Sequence, residues 1–243
     1  MRRDQRLLTW GAFAFLVLGG LAPVRGGSQT RQPLSFEAKL AQRVERYNAA
    51  GRSLTDAVLD LAFEYQLPLG VEYVDRGAAL RPIEIELRQK SVREILGALV
   101  ATAPEYRIDF SGEIVHLFSP VARQDSSNLL NTVIPNFEVS EIDPYMADME
   151  LICALHRQLQ PPAGCGGSHP IGSPQRISIH LRRARLYEIL DAIAAKQGAV
   201  WFVNVRPETL SKNQPDIWHI YELVSPFDRV AKEKLQGLFP PGR

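Results

Sequence analysis

The sequence predicts an α+β protein of two tandem small domains, each with two helices packed on short mixed sheets. Three observations predict it. A strand runs straight into a capped helix over 83–101. The same stretch recurs 94 residues later. A hairpin pattern follows each copy.

In the first copy, Ile83, Ile85 and Leu87 alternate with charged residues, the period of a half-buried strand. Ser91 with Glu94 three residues on is a capping box, so a helix starts there. Val92, Ile95, Leu96, Leu99 and Val100 then share one helical face. At the offset of 94, nine positions are identical: Ile83/Ile177, Ile85/Ile179, Leu87/Leu181, Arg88/Arg182, Glu94/Glu188, Ile95/Ile189, Leu96/Leu190, Ala98/Ala192 and Ala101/Ala195. Helix propensity alone does not produce nine matches in a 19-residue window, so the chain holds two copies of one unit.

The remaining elements follow in order. Residues 1–27 have the layout of a secretory signal. Arg2, Arg3 and Arg6 precede an apolar run from Leu7 to Ala22, and small residues follow. The run is short for a membrane span of about 20 residues, and it reads either as a cleaved signal or as a retained anchor. The first domain is expected over 28–120, with its core at 53–120. Phe36, Leu40, Val44 and Tyr47 predict a helix from Ser35 to Ala50. Ser53 caps a second helix with Leu54, Ala57, Val58, Leu61, Ala62 and Tyr65 on its buried stripe, ended by Pro68 and Gly70. A short strand spans 70–74. After the first core stretch, Tyr106, Ile108 and Phe110 alternate, Ser111-Gly112 turns, and 114–118 returns as a hairpin.

Residues 121–130 are polar and read as a linker. The second domain is expected over 131–226. Pro135 confines the strand at 132–139 to an edge or a bulge. Asp143-Pro144 starts a helix with Met149, Ile152, Leu155 and Leu159 on its apolar face. A Gly/Ser/Pro loop covers 163–174. After the second core stretch, 200–205 and 217–224 form a hairpin whose loop, Arg206 to Asp216, is longer than that of the first. Residues 227–243 form a tail with a possible short helix over 230–239.

The pattern Ser53-Leu54-x-x-Ala57-Val58-x-x-Leu61-Ala62, a strand at 71–74, then Ile85-x-Leu87-x-x-x-Ser91-Val92-x-Glu94-Ile95-Leu96 and the hairpin resembles the secretin and TonB short N-terminal domain family. The first unit matches best. The second matches only from Ile177 onward, and its front half departs from the pattern. The motif consists mostly of core and cap residues. The resemblance implies a binding or scaffolding module in the cell envelope, periplasmic or secreted.

The composition limits other functions. A formal net charge of +1 gives no general attraction to nucleic acid or anionic membrane, and no basic run carries interleaved aromatics. Membrane association is expected only through an uncleaved N-terminal segment. Serine-hydrolase elbows, zinc-protease motifs and phosphate loops are absent, so no catalytic residue and no cofactor is expected. Glu72, Glu84 and Glu86 alternate on strands; they keep open a periplasmic hydrolase or carbohydrate-binding accessory, although such acids more often face solvent. The repeated Arg88/Arg182 and Glu94/Glu188 read as a shaped binding edge or as a solvated arginine with a helix-capping glutamate. His116, His180 and His219 fall on strands without an identifiable partner.

Cys153 and Cys165 read as a disulfide stapling the Gly-rich loop to the preceding helix. Incidental thiols and a metal site of Cys153, His156, Cys165 and His169 are the alternatives; the metal site would make the chain a metal-binding envelope protein. The candidate interface is the second hairpin with Trp201, Phe202, Trp218 and Tyr221, residue types enriched at hot spots, although the same aromatics can alternate into a core. The expected partner is an envelope protein or a second copy, joined through an edge strand.

Overall fold

The computed structural model describes residues 34–72, 81–159, 175–203 and 221–224. Helix α1 (Phe36–Leu40) is capped by the Ser35 hydroxyl, and strand β1 (Arg43–Asn48) follows. The single helix expected through Ala50 is therefore half strand. Its apolar residues, three or four apart, fit a helix, but β1 pairs antiparallel with β5 (Glu86–Ser91), and that partner is invisible to local spacing. Next come β2 (Arg52–Ser53), α2 (Leu54–Tyr65) and β3 (Leu69–Val71). Ser53 caps α2 by accepting from the Asp56 amide, and Gln66 closes it in the left-handed region. β4 (Pro82–Ile83) pairs with β2, so the run expected as one strand is split between two ribbons. β5 enters α3 (Val92–Ala101) through the expected capping box: the Ser91 hydroxyl accepts from the Glu94 amide, and the Glu94 carboxylate accepts from the Ser91 amide. β6 (Arg107–Asp109) and β7 (Val115–Phe118) form the first hairpin around a 3-10 turn at Ser111–Glu113.

The segment expected as a linker is part of the packed structure. Pro120 starts α4 (Pro120–Gln124), and a 3-10 turn at Leu129–Asn131 buries both Leu129 and Leu130 completely. Two adjacent leucines at the end of a polar stretch anchor it to the core beyond. β8 (Val133–Ile142) and α5 (Pro144–Leu159) follow, with the Asp143 carboxylate accepting from the Tyr145 amide at the helix start. Then come β9 (Ile177–Arg185), α6 (Leu186–Gln197), β10 (Val200–Val203) and β11 (Tyr221–Val224).

The repeat extends to backbone detail. β8 pairs β9 as β1 pairs β5: Tyr47 faces Leu87, and Phe137 faces Leu181. Gln89 and Arg183, again 94 apart, both take positive φ, 55° and 50°, where each strand kinks before its helix. Pro135 stands between the register pairs Ile134/Ala184 and Asn136/Arg182, at the level of the kinked Arg183. Glu188 accepts from the Arg185 amide as Glu94 does from Ser91, but arginine replaces the serine and the reciprocal half of the box is missing. The front half of the second copy, divergent in sequence, keeps the strand and helix of the first.

The α+β class is as expected, but the two copies are not separate bodies. One five-stranded sheet, ordered β11-β10-β3-β7-β6, takes strands from both. β10 of the second copy runs parallel to β3 of the first, with Trp201 opposite Gly70. Strand alternation then divides the sheet's two faces. Leu69, Val71, Val115, Leu117, Val200 and Phe202 join α2 and α3 in one core. Trp201 and Val203 face the other core with α5 and α6. All the described residues fall within a single compact unit. Among them, no helix is long and apolar enough to cross a membrane. The segments expected as a signal (1–27), as loops (163–174 and Arg206–Asp216) and as a tail (227–243) lie outside the described residues.

A chain ending at Asn131 leaves β3 without one neighbour and removes Val200 and Phe202 from the first core. The expected outcome is that 34–131 alone shows poor amide dispersion and no cooperative thermal transition. Mixing it with 132–243 restores both if the two pieces assemble.

Candidate functional site

The sheet face turned toward α6 carries charges where a core would ordinarily be apolar. On β7, Val115 and Leu117 point into the first core, so His116 between them points the other way, against α6. Glu72, just after β3, is aligned beside it by its backbone amide, which donates to the Leu117 carbonyl. Asp191 comes from α6 and Arg123 from α4. The seam between the repeats thus holds two carboxylates and two potential cations, contributed by four separate parts of the chain.

The imidazole is enclosed, with 4% of its side chain exposed, and Glu72 is at 1%. His116 Nδ1 lies 2.5 Å from Asp191 Oδ2. His116 Nε2 lies 3.0 Å from Glu72 Oε1, but the geometry is not that of a hydrogen bond, so this contact is ionic. Arg123 Nε donates to the same Glu72 oxygen at 2.9 Å. The second Asp191 oxygen accepts from the Trp201 indole N–H at 2.8 Å. Aromatic rings close the cluster: Phe118, Tyr187 and Trp201 each meet the imidazole edge-on, with centroids 5.5–5.8 Å away. The Arg123 guanidinium is sandwiched between Phe118, at 3.4 Å from the ring centroid, and Tyr187, at 4.6 Å. Such cation–π contacts strengthen when desolvated.

Gly70 makes this approach possible. A Cβ there would stand 2.6 Å from the Trp201 indole nitrogen and 2.7 Å from Asp191 Oδ1. The strand crossing beneath the Trp201–Asp191 hydrogen bond must therefore lack a side chain.

Burial alone would pull the imidazole pKa down. The Asp191 hydrogen bond and the Glu72 and Asp191 charges outweigh it and push His116 from 6.5 up to about 9. With His116 protonated, the quartet is formally neutral, which is what permits so many charges in one seam.

A cavity of about 310 Å3 adjoins the quartet. His116, Arg123 and Asp191 reach its wall, joined by Asp109, Tyr187 and Glu188. Asp109 is held below the usual carboxylate range chiefly by the Ser111 hydroxyl, with the Phe110 and Ser111 amides adding to it.

The residues singled out in the sequence fall elsewhere. Trp201 and Phe202 are 0% and 1% exposed, on opposite faces of β10, so they belong to the two cores and not to an exposed interface. Alternation through a strand with a core on each side buries both. Tyr221 opens β11, and Trp218 lies outside the described residues. Glu72 does not meet Glu84 or Glu86: Glu86 is exposed and bridged to Arg46 and Arg88, while Glu72 is locked in the seam. His180 is exposed beside Glu138. Arg182 is exposed, and Arg88 ends at the Glu86 bridge. Cys153 and His156 are buried on α5; Cys165, His169 and His219 lie outside the described residues. Among the described residues no group of three or more His, Cys, Asp or Glu side chains is arranged to hold a metal ion.

Of the quartet, only Glu72 and His116 stood out in the sequence, and without each other. Arg123 sat in the presumed linker. Asp191 offered one signal: it stands where the first copy has Gly97, 94 residues earlier.

A raised His116 pKa ties folding to pH. Its stabilisation is fully present below about pH 6.5 and is lost as pH rises through about 9. The shift from 6.5 to about 9 corresponds to on the order of 3 kcal/mol. Urea unfolding followed from pH 6 to 10 should show this decline, and His116→Phe should flatten it. An equally steep decline in the variant would assign the effect to other groups. No protein-family model, curated protein or solved structure matches the chain.

Proposed function

We propose that this is an exported, non-catalytic cell-envelope protein that serves as a protein–protein interaction or scaffolding module. The periplasm is its expected compartment. The observation that carries the reading is the β8–β9 ribbon. Its strands are 10 and 9 residues long, and among the described residues they pair only with each other. An open edge of that length offers a row of backbone donors and acceptors to an incoming strand.

Three features support it. The two copies share a sheet and a charged seam, which suits a rigid platform. The motif pattern resembles modules that act by contact in the envelope. The signal-like order of residues 1–27 supports export, and in an oxidising compartment a Cys153–Cys165 bond is the expected state of the two cysteines. The strand carboxylates that would speak for a hydrolase do not converge, because Glu72 is enclosed and Glu86 is paired with arginines.

The docking edge we favour is β9, which lacks proline, whereas β8 carries Pro135. The exposed aromatic surface first expected at β10 is replaced by this backbone edge. A photo-reactive residue at exposed His180 should crosslink one discrete envelope protein, or a second copy, in intact cells. The same residue at Lys39, remote from β9 in the chain, should not. Equal labelling at both positions, or none at either, would remove the strand-addition reading.

A further inference from the structure

The cavity beside the quartet presents two signs of charge on one wall. Within the seam, Glu72 and Asp191 balance protonated His116 and Arg123. Asp109 and Glu188 are then the surplus acids on the cavity wall. Arg123 is unusually prepared for an anion. Its plane is fixed between Phe118 and Tyr187, and its Nε is committed to Glu72. Its terminal nitrogens donate to no acceptor among the described residues, while the side chain borders the cavity. A guanidinium fork held flat in this way matches a carboxylate with little further ordering.

A lone anion entering the cavity would meet Asp109 and Glu188. A lone cation would meet Arg123 and His116. A ligand carrying both charges finds an opposite charge on the wall for each of them. The volume of about 310 Å3 lies at the small end of the range for ligand pockets. Tyr187, Ile114 and Ala192 give the lining an apolar share for a short side chain. A metal ion is a poorer occupant, since both imidazole nitrogens already face carboxylates.

We propose that this cavity binds a small zwitterion of the amino-acid type, with its carboxylate on the Arg123 guanidinium and its ammonium on the side of Asp109 and Glu188. The site is independent of the β9 edge, so it stands or falls separately from the scaffolding reading. It would make the seam between the repeats a place where a small molecule stiffens the platform.

The test is titration calorimetry on the full chain with alanine, serine and lysine, alongside acetate and ethylamine as probes that each carry one charge. The expected result is saturable binding of at least one amino acid, with acetate and ethylamine each weaker by about tenfold or more. Asp109→Asn, checked for retained fold by circular dichroism, should weaken the amino acid by about tenfold as well. No saturable binding of any amino acid up to about 10 mM overturns the proposal. So does acetate or ethylamine binding as tightly as the amino acid, or an Asp109→Asn protein that is folded and binds unchanged. The series on the unaltered protein decides the matter even if the variant does not fold.

Discussion

The contact between His116 and Asp191 joins the two halves of the chain across the seam where their sheets meet. His116 lies on a strand of the first repeat, and Asp191 on the helix of the second, 75 residues apart. An ionised carboxylate is costly to enclose, and so is an imidazolium; together, with Glu72 and Arg123 completing the charge balance, they become tolerable. The rest of the seam is arranged around this requirement. Gly70 omits a side chain so that Trp201 can reach Asp191, and Phe118 and Tyr187 flatten Arg123 so that its Nε can reach Glu72. A buried polar network of this kind gains little over a well-packed apolar seam in energy, but losing one member leaves the others unpaired and costs about 3–5 kcal/mol.

The shared sheet supplies the complementary apolar constraint. β10 is a strand of the second repeat that pairs with β3 of the first and sends alternate residues to two cores. That alternation explains why Val200, Trp201, Phe202 and Val203 are all buried, although the run looks like an aromatic surface patch when read alone. The shared sheet adds Val200 and Phe202 to a core otherwise built from residues of the first half. Fusing their sheets gives each unit extra apolar area without lengthening either one.

Much of the local structure was legible in the sequence, because capping and alternation are written in neighbouring residues. The Ser91–Glu94 box, the Ser53 and Asp143 caps and the hairpin at 106–118 all occur where their signals lie. What escaped was set by distant partners. β1 carries apolar residues at helical spacing, yet its antiparallel partner β5 decides its conformation. The polar stretch after Pro120 looked like a linker because Leu129 and Leu130 meet their core only in three dimensions. The quartet is the extreme case. Its four members span 72 to 191, and each alone has an ordinary reading as a surface charge. Only the substitution of Asp191 for the Gly97 position of the first copy hinted that the second helix had acquired a task there.

The central claim is that the two repeats are locked together by the charged seam. A double-mutant cycle on His116→Gln and Asp191→Asn, read by chemical denaturation near pH 7, tests it most directly. The account predicts that the two substitutions are strongly non-additive, with a coupling of about 1–3 kcal/mol. Additive effects, with each substitution costing the same whether or not the other is present, would contradict it.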